Sequence, residues 1–313
     1  MKLYLLLPLV LTIGCNTVKT SNQSAYSDQL IKDIKTLSSD SYEGRKTGTK
    51  GAEMARNYIG KRFREIGLKS FPLLNSFQQT FTFSGIDDPK ITGKNMIGYI
   101  PGRSDKIIVI SAHYDHLGVI NGKIFNGADD NASGVAGMLK IAKHFSRTKP
   151  NYTLIFAAFD AEEFGRKGSD YFVNHLPVDI KRIKLNLNLD MISHNDKGEL
   201  YASGTYQYPH LKNYITTSVP DLKILFGHDN PKLGIDDWTD QSDQSAFNAK
   251  NIPFIYFGIE DHKDYHKDSD KFENINQPFF INAANAILEI TDRIDHNMMM
   301  DVSVRERTIM NKR

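Results

Sequence analysis

Three stretches end in side chains that can hold a proton or a cation. "VISAHYDH" closes on His113 and Asp115, "FAAFDAEE" on Asp160, Glu162 and Glu163, and "NLNLD" on Asp190. A fourth, "NGADDNASGVAG", sets Asp129 and Asp130 between glycines, just ahead of an apolar helical pattern. Carboxylates gathered in one cleft raise one another's pKa unless a cation offsets them. Histidine with several carboxylates suits a borderline divalent ion such as zinc. More carboxylates than one ion needs suggests two ions bridged by an aspartate. Each piece alone has an ordinary reading. Asp129 and Asp130 could cap the helix that begins near Ser133, His113 could be a hydrogen-bonded strand end, and Glu162-Glu163 could be a solvated turn. Independent caps do not predict that the same polar set recurs after three successive buried strands.

The elements that must position these groups are legible. "KIIVISAHYD", "YTLIFAAFD" and "IKLNLNLD" are continuous apolar runs separated by helical patterns at Ser133 to Phe145 and at "GSDYFVNHL". Strand and helix in alternation, with strands apolar on both faces, predict a three-layer α/β/α domain around a mostly parallel mixed sheet. In such sheets the carboxyl ends of the strands carry the site, and the acids fall there. Further strands are expected at "QQTFTFSG", "NMIGYIPG", "ELYAS", "LKILF" and "PFIYFG". Helices are expected over Asp28 to Leu37, over "GAEMARNYIGKRFREIG" with Gly67 as its stop, and around Ile281 to Ile294. One domain is expected over 28–296, with 194–241 as a lid or pocket wall and 297–313 as a frayed tail.

With 313 residues, 40% hydrophobic and 24% charged, the chain has a globular composition. A net charge of +2 with scattered basic residues leaves no footprint for nucleic acid. The stretch "LYLLLPLVLTIG" after Lys2 reads as an export signal at residues 1–15. It ends at Cys15, the single cysteine of the chain, so no internal disulfide can form. A lone cysteine after a small residue resembles a bacterial lipoprotein cleavage site, although Thr12 stands where leucine is usual. The expectation is an exported protein anchored in the cell envelope by lipid at Cys15, with 16–27 as a flexible tether. A plain periplasmic or secreted form is the alternative.

Taken in order, "SAHYDHLG", "NGADDNASGVA", "FDAEEFGRKGS", "NLDMIS" and "DYHKDSDKFENIN" resemble the zinc aminopeptidases and related exopeptidases of the M28 peptidase family. The likeness covers roughly Ser38 to Ile290, including "SYEGRKTGTKGAEMARNYIGKRFREIGL". It implies two zinc ions per chain: His113 and Asp190 on one, Glu163 and His266 on the other, and Asp130 bridging both. It also implies Glu162 as the general base that activates water, and Tyr265 as a hydrogen-bond donor to the developing oxyanion. Asp115 would orient the His113 imidazole by a hydrogen bond, while Asp129 keeps no ligand role. A cis peptide between Asp130 and Asn131 is implied too, in a loop whose Gly127 and Gly134 tolerate unusual backbone angles.

The substrate so implied is a peptide with a free N-terminus. Aromatics between Tyr201 and Trp238 could wall an apolar pocket or belong to the core. No arginine stands between Arg182 and Arg293, and "WTDQSDQSAF" carries Gln244 where relatives often have histidine. A carboxypeptidase or dipeptidase would keep the same metals and change the bond cleaved, and two further rival readings use the same fold. A glutaminyl cyclase would need a single zinc on Asp130, Glu163 and His266, and an inactive binding scaffold would be expected to lose a ligand or the base.

Overall fold

A computed structural model of the chain describes residues 16–74, 76–85 and 88–310. The expected export signal and Cys15 fall outside the described residues. Among the described residues, no helix is long and apolar enough to cross a membrane.

The strands in chain order are β1 (Gln78–Phe83), β2 (Ile91–Ile100), β3 (Ile107–His113), β4 (Gly118–Ile120) and β5 (Lys123–Phe125). Then follow β6 (Thr153–Phe159), β7 (Ile183–Leu189), β8 (Glu199–Ser203), β9 (Lys223–Leu225) and β10 (Phe254–Gly258). The helices are α1 (Asn16–Leu37), α2 (Lys50–Ile66), α3 (Gly134–Phe145), α4 (Lys167–Asn174), α5 (Gln244–Asn248) and α6 (Gln277–Met310). Eight strands make one sheet in the order β1-β2-β6-β3-β7-β10-β8-β9, and β4-β5 form a separate hairpin. The centre of the sheet, β6-β3-β7-β10, is parallel throughout, while β1, β2 and β8 join antiparallel. This is the three-layer α/β architecture expected from the apolar runs.

Side-chain alternation along β3 shows how the layers are divided. Ile108, Ile110 and Ala112 pack into a core with α1, α2, α3 and α6. Ile107 and Val109 face the other way, into a smaller core with Phe172 of α4 and Phe247 of α5. Central parallel strands are thus buried on both faces, which is why they read as unbroken apolar runs. On the smaller-core side the sheet also carries a buried polar row. Asn186 Nδ2 donates to Ser111 Oγ at 2.9 Å, Ser111 Oγ to Asn188 Oδ1 at 2.7 Å, and Asn188 Nδ2 to Ser242 Oγ and Gln244 Oε1, each at 3.0 Å.

Two local differences from the sequence reading have simple causes. Helix α1 starts at Asn16, inside the stretch expected as a tether, because no glycine or proline interrupts the chain before Leu37. Helix α6 runs on to Met310, through the stretch expected as a tail. Its buried stripe of Phe280, Ala284, Ile287, Ile294 and Met298 keeps helical spacing past the expected end. Segment 194–241 contributes β8 and β9, at the strands expected from "ELYAS" and "LKILF", to the sheet.

Candidate metal centre

The carboxyl ends of β3, β6 and β7 meet at one edge of the sheet, where the loop before α3 and the segment after β10 close over them. His113, the last residue of β3, places Nε2 3.3 Å from Asp130 Oδ1 and 3.3 Å from Asp190 Oδ1. Asp130 Oδ2 lies 3.2 Å from His266 Nε2, which is 3.6 Å from Glu163 Oε2. One oxygen of Asp130 therefore serves each half of the cluster. Donor atoms on a tetrahedral zinc ion at about 2.0 Å stand about 3.3 Å apart, so these separations fit ions without rearrangement. Two groups within the cluster, His113-Asp130-Asp190 and His116-Asp130-Glu163, have ligand atoms close enough to share an ion.

The electrostatics follow from burial and mutual pairing. Burial alone would lower the His113 pKa, but the Asp190 and Asp130 carboxylates push it well above the ordinary histidine value. Asp130 is also buried, yet His116, His113 and His266 hold its carboxyl well below the usual range. Asp190 is raised by burial despite His113. Burial, with Asp243, Asp190 and Glu163 adding to it against the pull of His113, raises Glu162 well above the ordinary carboxylate value. The Tyr265 phenol is raised as well, chiefly by burial and then by Asp130, so it stays protonated and can donate. Its ring stacks on His266 at 4.0 Å between centroids.

A cavity of about 90 Å³ opens onto the cluster, walled by Met191, Trp238, Tyr256 and Ile259 and reached by Glu162 and Tyr265. Trp238 supplies the wall from the 194–241 segment and stacks on His228 at 3.8 Å. A broader cleft of about 1210 Å³ meets the site at Glu163, with Lys46, Arg56, Lys94 and Lys167 along it.

The structure thus brings together His113, Asp130, Glu163, Asp190, His266, Glu162 and Tyr265. It places two acids differently from the sequence reading. The Asp115 carboxylate is 3.8 Å from His113 Nδ1, which instead meets the Asp115 main-chain carbonyl at 3.2 Å. The carboxylate accepts from the backbone N–H groups of Glu162 at 3.0 Å and Glu163 at 3.3 Å. Asp115 therefore positions the pair of glutamates, and its own peptide unit orients the imidazole. Asp129 is no helix cap. Its Oδ1 accepts from Ser193 N at 2.6 Å and Ser193 Oγ at 2.8 Å, and its Oδ2 meets His262 Nε2 at 3.0 Å.

Other residues hold the loop without having been picked out from the sequence. The peptide Asp130-Asn131 is cis. Asn131 Oδ1 caps α3 by accepting from Gly134 N at 2.9 Å, and it also accepts from Met191 N at 3.2 Å. Asn131 Nδ2 donates to Leu189 O at 2.9 Å. The Asp270 carboxylate accepts from Asp129 N at 2.9 Å and Asp130 N at 3.0 Å. Arg45, fully buried, donates to the carbonyls of Tyr114, Leu37, Asn126 and Gly127. Burial lowers its pKa to about 10, so it stays charged at neutral pH beneath the acidic cluster. His116 also belongs to the cluster: its Nδ1 is 2.8 Å from Glu163 Oε1 and 3.5 Å from Asp130 Oδ2. The only sequence signal for it was a second histidine three places after His113.

Comparison with known proteins agrees with this geometry. The chain is 27% identical over 189 residues to the alkaline phosphatase isozyme conversion protein of Escherichia coli, covering 56% of this chain and 54% of that protein. It is 29% identical over 195 residues to aminopeptidase YwaD of Bacillus subtilis, covering 59% and 41%. The chain thus spans about half the length of the curated relatives it matches. Among solved structures, a Zn-dependent exopeptidase from Parabacteroides distasonis superposes with a TM-score of 0.66 at 18% identity, over 85% of this chain and 97% of that one. A glutaminyl cyclase from Bacteroides thetaiotaomicron gives 0.66 at 18%, over 84% and 96%. At that identity both establish the fold alone. The model of peptidase family M28 matches residues 95–291, which contain every candidate ligand, and the chain belongs to that family.

Proposed function

We propose that the protein is a two-metal aminopeptidase that removes N-terminal residues from peptides. One observation carries the reading: Asp130 faces His113 with Oδ1 and His266 with Oδ2, so two donor sets share one carboxylate. His113 and Asp190 would hold the first zinc ion, Glu163 and His266 the second, and Asp130 both. Bound there, the ions would lower the pKa of water towards about 7 and polarise the peptide carbonyl. Glu162 would act as the base. It lines the same cavity, its backbone is fixed by Asp115, and two dications beside it would reverse the upward push on its pKa and leave it ionised to accept a proton. It would return that proton to the leaving amine. The Tyr265 hydroxyl would donate to the oxyanion.

A single-ion cyclase would use Asp130, Glu163 and His266, which leaves the pairing of His113 with Asp190 without a purpose. The apolar walls at Trp238, Tyr256 and Ile259 suit the side chain of the first residue, with the free amino group held by carboxylates. Location in the cell envelope through lipid at Cys15 is part of the proposal.

The test is hydrolysis of aminoacyl-arylamides, free and N-blocked, together with metal content, by wild type and Glu162→Gln. Two zinc ions per chain and turnover of free substrates alone, falling by roughly 10²- to 10⁴-fold in the variant, are expected. One ion with cyclisation of N-terminal glutamine, or bound metal without turnover, would overturn the reading.

A further inference from the structure

We propose that His116 is a positioning residue that fixes Glu163 as a one-oxygen ligand, rather than being a ligand itself. The inference rests on the two-metal reading and deepens it. His116 lies beside the second donor set, and distance alone would let its Nδ1 join Asp130 and Glu163 on an ion. Two independent observations decide between the roles.

The first is spacing. The pairs expected to share an ion stand 3.2 to 3.6 Å apart, around the tetrahedral edge of about 3.3 Å. His116 Nδ1 stands 2.8 Å from Glu163 Oε1, which is hydrogen-bond length and short for two donors on one zinc ion. Its partner is also the other oxygen: Oε1 meets His116, whereas Oε2 faces His266.

The second is the proton. A neutral imidazole carries one, and binding an ion through Nδ1 would put it on Nε2. His116 Nε2 is buried and has no hydrogen-bond partner among the described residues, so a proton there would be an unpaired buried donor. On Nδ1 the proton has an acceptor at 2.8 Å. The His116 side chain is fully buried and packs against Gly127. The hydrogen bond at Oε1 holds the carboxylate with Oε2, the oxygen that faces His266, turned towards a cation. His116 thereby sets how Glu163 binds, while Asp115 sets the backbone of the same glutamate.

Cobalt(II) titration of the metal-free full chain, read by visible absorption and by proton NMR, tests this. Wild type should bind two ions, and its NMR spectrum should show exchangeable ring N–H signals with the large through-bond contact shifts of directly bound imidazoles from two histidines, His113 and His266, while the His116 ring N–H shows only a smaller through-space shift. His116→Asn, whose amide nitrogen reaches the Nδ1 position, should keep second-ion affinity within about threefold. His116→Phe should lose roughly 10- to 100-fold at the second ion only, as is usual when the partner of a ligand is removed, with absorption bands unmoved. A third contact-shifted ring N–H in wild type would overturn the proposal, and needs no variant to fold. Equal affinity in wild type and both variants would overturn it too. Wild type binding fewer than two ions would instead defeat the two-metal reading.

Discussion

Asn131→Ala is the most informative single change to the loop. Asn131 is fully buried, and its amide makes three bonds, to Leu189 O, Gly134 N and Met191 N. Alanine would leave Leu189 O and Met191 N buried without these partners, whereas Gly134 N–H keeps its bond to the Asn131 main-chain carbonyl. Each orphaned group costs about 1–3 kcal/mol, so the change should cost about 3 kcal/mol after partial relaxation and entry of water. That is a large share of the 5–15 kcal/mol that separates most folded proteins from unfolding. In a chain of this size it corresponds to a fall in Tm of roughly 5 °C. Asn131→Asp makes a useful partner. It keeps the acceptor but sets a negative oxygen against Leu189 O, and should be destabilised about as much. Thermal unfolding with and without zinc, beside chelator-buffered zinc titration, reads both effects, since the neighbouring Asp130 is the proposed shared ligand. Were Asn131→Ala to melt within about 2 °C of wild type with unchanged zinc affinity, the clamp reading would be wrong.

Further outcomes follow from other parts of the site. Gly127 has φ of 56°, and a Cβ there would lie 2.1 Å from Asp130 O, so Gly127→Ala should cost roughly 3 kcal/mol in urea unfolding; a neutral result would refute the packing argument. Burial raises Asp243 and Asp270 from 3.8 to about 6, so between those values the native state binds more protons than the unfolded chain. Stability of EDTA-treated protein should therefore fall as pH rises from about 4 to 6, by at most about 3 kcal/mol per group, and a rise over that window would contradict the sign. The cleft at Glu163 carries Lys46, Lys94 and Lys167, so peptides with acidic second and third residues should show KM about threefold lower than basic ones at low salt. That preference should fade by 1 M salt, and indifference to charge would remove the cleft from the substrate path.

The clustered polar residues were readable because parallel strands, buried on both faces, announce a functional end when polar groups break the apolar run. His113, Glu162, Glu163 and Asp190 follow from that rule, and the M28 resemblance added Asp130 and His266 as candidate ligands. What escaped depended on partners far away in sequence. Asp129 looks like a cap until His262, 133 residues later, and Ser193 are seen to share its oxygens. Asp270 joins the loop from 141 residues away. The β4-β5 hairpin was legible and overlooked. Asn121-Gly122 adopts the two left-handed conformations, φ 51° and 77°, that an Asn-Gly hairpin turn requires.

Strand order bears on when the site comes into being. β10, the last strand in the chain, lies between β7 and β8, and the two strands of the 194–241 segment reach the rest of the sheet through it. Until β10 docks, Trp238 has no sheet to stand against, and His266 and Asp270, which follow β10, are absent from the cluster. The Trp238 wall and the residues that complete the second candidate donor set thus depend on one long-range pairing, of the kind that forms slowly. A chain in which β10 has not docked holds the acids of β3, β6 and β7 but no finished cluster.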